Sequence, residues 1–197
     1  QPRLAVSLPA AHRSAYAASF AGDVGIDPYT REVSNLYHDR FGQGQYVGKG
    51  IYDARAFLAA TGDRFPPNRI LSHDLIEGCF ARCGFVSDVE LIEEIPARYL
   101  AAASRLHRWT RGDWQVARWL WPLVPGPDGK RRPNPLNALS RWLLMDTLRR
   151  SLVPAAWVGV LAGGLFLTAG AMGAWIALWV VVGIASIATG VYFALRS

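Results

Sequence analysis

The chain is poor in cysteine and in acid, and its last quarter is almost without charge. Cys79 and Cys83 are the only two cysteines in 197 residues. Four apart on a helix, they share a face. That is the wrong geometry for a ready disulfide, and two thiols are too few to close a zinc site. They read as small helix residues in a reducing compartment. Fifteen acidic residues stand against 21 basic ones. No Asp-x-Asp occurs anywhere, so the chain carries no metal-ligand set of that type. Between Ser151 and Leu195 there is no Asp, Glu, Lys, Arg or His. Such a run is about twice the ~20 residues that one helix needs to cross a bilayer. It predicts two transmembrane helices in a hairpin turning near 170–173. A helical hairpin buried in a soluble core is the alternative.

The net charge of +6 raises nucleic acid as a partner. Much of that charge, however, flanks the apolar run, in Lys130, Arg131, Arg132, Arg141, Arg149 and Arg150, with Arg196 behind it. Basic residues beside a span mark its cytoplasmic side. The expected partner is therefore a lipid bilayer and not nucleic acid, with the polar part facing the cytoplasm. The chain starts at Gln1 with no signal peptide, and it reads as a piece of something longer. Three regions are expected: a partial catalytic domain over 1–121, a linker with an amphipathic interfacial helix over 122–150, and the two spans over 151–197.

Along the chain, residues 36–50 are glycine-interrupted and aromatic, which suits a loop leading into a short strand at Ile51 and Tyr52. Asp53 should cap a helix over 54–60. Pro66 and Pro67 break the chain, and a short helix over 75–83 should end at Gly84. Phe85, Val86, Val89 and Leu91 alternate with polar residues, a strand pattern. A helix over 97–120 follows, then a Pro/Gly linker over 122–135. In 136–152, Leu139, Trp142, Leu143 and Leu148 oppose Arg141, Arg149 and Arg150, so an interfacial helix is expected there.

Two stretches carry chemistry. In Ser72-His73-Asp74-Leu75-Ile76-Glu77-Gly78, Asp74 is a candidate general base, able to take a proton from an acceptor hydroxyl. An Asp opening a short helix can equally be a cap, and both roles can coexist. In the stretch 105–115, Arg105, Arg108 and Arg111 fall along one helical face. A guanidinium fork suits a diphosphate, and a solvated basic helix is the plain alternative. Trp109 could stack on a sugar ring or simply belong to a core. Gly42 to Gly50 mimics a phosphate loop, but its spacing misses the pattern and no Ser or Thr follows Lys49. Asp88 and Glu90 sit on the alternating strand and read as solvated.

These motifs resemble the processive family 2-type glycosyltransferases. Tyr46 to Gly50 and Asp53 to Phe57 look like the strand and helix lining the acceptor pocket. Ser72-His73-Asp74 looks like the Thr-Glu-Asp element, whose last Asp is the base, and Arg105 to Trp109 falls where that family has Gln-x-x-Arg-Trp. A closer resemblance, over about 30–121, is to cyclic β-1,2-glucan synthases. It rests on Ser72 to Gly78, Arg82 to Leu91 and His107 to Gln115.

That resemblance implies an α/β fold, the carboxy-terminal half of a GT-A-type nucleotide-sugar transferase domain. It also implies inverting transfer of glucose from UDP-glucose to a β-1,2-glucan acceptor at a bacterial inner membrane. Asp74 would be the base, and Arg108, with Arg105 and Arg111, would hold the donor diphosphate. Trp109, His73, Lys49 and Gly48 would form the acceptor side. Position 105 is Arg where the wider family has Gln. The amino-terminal half of the domain, with the Mg²⁺ ligands and the uridine pocket, should lie upstream, so this chain alone should be inactive. A glucosyltransferase for linear periplasmic glucans and a non-catalytic membrane scaffold are the competing readings.

Overall fold

The structure, a computed structural model, describes residues 1–20, 36–70, 74–167, 173–177 and 180. It is mixed α/β with small sheets, as expected for the class. Strand β1 (Pro2–Val6) pairs in parallel with β2 (Val86–Glu93), Val6 opposite Glu93. Between them run α1 (Leu8–Ala11), α2 (Ala15–Phe20), α3 (Leu36–Phe41), α4 (Ala54–Thr61) and α5 (Asp74–Ala81). Then come α6 (Tyr99–Val116), a 3-10 turn (Ala117–Leu120), β3 (Leu123–Pro125), β4 (Arg131–Pro133) and α7 (Ala138–Leu167).

Several local expectations hold for local reasons. The Asp53 carboxylate accepts from the backbone N–H groups of Arg55 at 2.8 Å and Ala56 at 3.0 Å, which starts α4. The alternating segment is β2, although its side chains are mostly exposed rather than half in a core. Other expectations need correcting. Ile51 and Tyr52 are exposed and lie outside any strand. Helix α5 stops at Ala81, and the left-handed residue after it is Arg82 (φ 63) rather than Gly84. The linker over 122–135 is an antiparallel hairpin, with Leu123 opposite Pro133 and Gly129 (φ 75) in its turn.

The main core joins α5, the end of α6, β3 and α7. Ile76, Cys79, Val116, Trp119, Val124, Leu136 and Leu144 are buried together. Phe65, from the segment after α4, packs its ring 5.9 Å from Trp119 and 5.3 Å from Phe80. Trp119 is only 1% exposed. Its indole N–H is buried with no acceptor among the described residues. Leaving such a donor unpaired costs about 1–3 kcal/mol, so apolar contact of the ring has to exceed that.

The expected interfacial helix is the first part of α7. Leu143, Leu144 and Leu148 are buried, so this apolar face is covered by protein, while Trp142 and Met145 remain exposed. A leucine face needs only an apolar cover, and here the protein supplies it. Helix α7 continues without a break past position 150 and through Pro154 into the apolar run. Among the described residues no helix is long and apolar enough to cross a membrane. The expected second span falls almost wholly outside the described residues.

Candidate functional site

Asp74 is the first residue of α5, and Asp74 and Glu77 occupy its first turn. Two carboxylates at a helix N-terminus are favoured by the unpaired N–H groups there. Asp74 is exposed, in keeping with a group that a second molecule could reach. Ser72 and His73 lie outside the described residues, so His73 cannot be placed.

The glycine-interrupted loop lies directly on this helix start. Gly48 has φ +84, a left-handed conformation, and a Cβ there would lie 2.6 Å from the Asp74 Oδ2. A Cβ on Gly78 would come within 2.4 Å of the Tyr46 Cβ. Both glycines are therefore needed for close approach, one on the loop and one on the helix. The Tyr46 hydroxyl is held above its ordinary pKa, first by burial and then by the nearby negative charges of Asp74 and Glu77. The loop's near end is fastened elsewhere. Gln43, buried, donates through Nε2 to the Ser140 Oγ at 3.1 Å, and Gly44 N–H donates to the Cys83 carbonyl at 2.6 Å.

One acidic residue links the loop to α6. Glu93, the last residue of β2, forms an ion pair with Lys49. It also raises the pKa of Arg105 on α6, where burial is the larger influence and lowers it. The Arg105 guanidinium lies 4.8 Å above the Trp109 ring, a cation–π contact. Gly48, Lys49, Asp74, Arg105 and Trp109 thus belong to one connected region, through Glu93 and the loop. Arg108 and Arg111 project from α6 into solvent, with no hydrogen-bond or ion-pair partner for their side chains among the described residues.

Sequence reasoning passed over three residues here. Glu93 gave no signal beyond closing an alternating strand, because its partners come from segments distant in sequence. Tyr46 entered only as the first residue of the stretch that resembles the acceptor-pocket lining, with no role of its own. Asp113, one turn of α6 beyond Trp109, has its carboxyl pushed up to about 6 by burial, with Arg150 opposing the shift. Of the acidic pair on β2, Glu90 pairs with Arg3.

Among the described residues no group of three or more His, Cys, Asp or Glu could hold a metal ion. The described residues do not by themselves fit a Mg²⁺ site.

Comparison with known proteins agrees with the motifs. No family model matches the chain. Over 167 residues, 84% of its length, it is 45% identical to the cyclic beta-(1,2)-glucan synthase NdvB of Rhizobium meliloti (strain 1021). The resemblance to cyclic β-1,2-glucan synthases thus extends over most of the chain. The chain spans only 6% of that protein's length.

Proposed function

We propose that this chain supplies the acceptor side of a glucosyltransferase site, within a protein that moves glucose from UDP-glucose onto a growing β-1,2-glucan. The observation that carries this reading is Gly48 pressed against Asp74. The backbone of the loop comes close enough to leave the carboxylate at an open edge, with no side chain between them. Asp74 would take the proton from the acceptor hydroxyl as that oxygen attacks C1 of glucose, and UDP would leave from the opposite face with inversion. Arg108, with Arg105 and Arg111, would hold the departing diphosphate through charge-assisted hydrogen bonds. Trp109, its ring already ordered under Arg105, would stack on the acceptor sugar.

Lys49, Gly48 and His73 would shape the acceptor pocket. The uridine pocket and any Mg²⁺ ligands would come from residues beyond this chain. The bilayer would be the inner membrane, with the site on its cytoplasmic face.

The test uses membranes bearing the protein that carries this chain, given labelled UDP-glucose. Asp74→Asn at equal expression should lower label in protein-bound and soluble glucan by at least 100-fold, with donor binding retained. Unchanged incorporation would reduce Asp74 to a residue of the helix start and remove the assignment.

A further inference from the structure

Well along α6 from Arg105, a groove opens between the segment after α4, the 3-10 turn and the β3–β4 hairpin. Its volume is about 840 Å³, and Arg69, Arg118, Arg131 and Trp121 line it. A smaller recess of about 300 Å³ continues from it and shares Arg69 and Arg118. Arg118 lies thirteen residues beyond Arg105, about 20 Å along the helical path. This cavity is separate from the Asp74 edge.

Three features set the chemistry of this groove. The first is uncompensated charge: among the described residues no Asp or Glu lines either cavity. The side chains of Arg69, Arg118 and Arg131 have no ion-pair or hydrogen-bond partner among the described residues. The hairpin's own acid, Asp128, is engaged by Arg132 at 3.5 Å rather than by Arg131. Three cations around one concavity focus a positive potential that an anion would relieve. The second is a flat surface, since Trp121 is 68% exposed at the groove while Trp119, two residues earlier, is buried. The third is stiffness. Pro66 and Pro125 line both cavities, and fixed proline backbones leave little to order when a ligand arrives.

We propose that this groove is a binding site for a phosphate-bearing ligand. Arg69, Arg118 and Arg131 hold the phosphate oxygens, and Trp121 carries the ligand's apolar or sugar face. Guanidinium forks match phosphate oxygens in pairs, and a neutral glycan would leave three charges unanswered. The groove is also tied to the Asp74 region by a short piece of chain, as Arg69 precedes Asp74 by five residues, at most about 17 Å of extended backbone.

The experiment uses the intact protein with two probes. Inorganic pyrophosphate is titrated by calorimetry, and vesicles of phosphatidylglycerol are compared with vesicles of phosphatidylcholine by flotation. Both are repeated with Arg118→Gln/Arg131→Gln, and with Arg98→Gln, exposed just before α6, as a control. Exposed arginines can be exchanged without unfolding the chain, which a thermal melt checks.

The expected result is binding of one probe that weakens at least tenfold in the double variant and persists in Arg98→Gln. Loss of pyrophosphate binding identifies a soluble phosphate ligand. Loss confined to phosphatidylglycerol vesicles identifies a lipid headgroup. Binding of both probes unchanged in the double variant, or absent in the unmodified protein, overturns the proposal. So does capture of a neutral gluco-oligosaccharide that depends on Trp121 but not on the arginines.

Discussion

The two ends of α6 are built from the same residue types in opposite circumstances. Toward its start, Arg105 is partly desolvated, lies over Trp109 and shares Glu93 with Lys49. Beyond its end, Trp119 is sealed in the core, Trp121 faces solvent, and Arg118 has no partner for its side chain among the described residues. The difference teaches that arginine and tryptophan on a helix do not announce their role. A neighbouring carboxylate fixes the first pair in place, and the absence of one leaves the second end open to an outside anion.

The comparison breaks most severely at Trp119. Trp119→Ala should cost about 3–5 kcal/mol, since it empties the centre of the core. Trp119→Phe should cost far less, because it also deletes the unpaired indole N–H. Chemical denaturation of both variants separates the contributions; equal losses would show that the N–H has found a partner.

A smaller effect is expected at the loop that faces the first end. Gly48→Ala forces a left-handed alanine, costing about 1–2 kcal/mol, and pushes a methyl group into Asp74. On the proposed reading, glucan synthesis should drop at least tenfold in kcat while the fold survives. Activity that is unchanged at normal stability would separate this loop from the base.

In the last turn of α6, Asp113 sharpens the contrast by pH. Its folded pKa of about 6 is above the ordinary value, so the protonated form is favoured in the folded state. The stability it contributes is therefore complete below about pH 4 and is lost as pH rises through 6. Asp113→Asn removes that loss. The variant should exceed the parent by about 1–2 kcal/mol above pH 7, after allowance for partial solvent screening, and match it below pH 4. Urea titrations across that range check the sign, and a variant less stable at pH 8 would mean that the Arg150 contact dominates.

The smallest effect belongs to Trp121. Trp121→Ala should change stability by no more than about 0.5 kcal/mol, as an exposed ring leaves no cavity behind. A loss approaching that of Trp119 would mean that the ring is covered in the intact protein.

What could be read from the sequence was what is decided locally. The Asp53 cap, the short helix at Asp74, the long helix carrying the arginines and the alternating strand each depend on neighbours a few residues away. Juxtapositions between distant segments were not legible. No strand was expected at β1, whose partner lies more than eighty residues on. The hairpin after Trp121 looked like a linker because proline and glycine serve both. At the site, Asp74, Gly48 and Lys49 were found by motif, whereas Glu93, which connects Lys49 to the arginine helix, had no motif. The leucines of α7 were read as lipid-facing because an apolar stripe cannot say whether lipid or protein will cover it.

The Gln43 hydrogen bond to Ser140 has a mechanical meaning. Ser140 lies in the first turn of a 30-residue helix, about 45 Å long, whose far part is the apolar run. Five residues after Gln43 comes Gly48, the residue against Asp74. One continuous helix is thus fastened at one end to the loop that borders the candidate base. Tilting or drawing that helix must either shear a buried side-chain bond or carry the loop with it, so strain applied at the apolar end is delivered to the carboxylate.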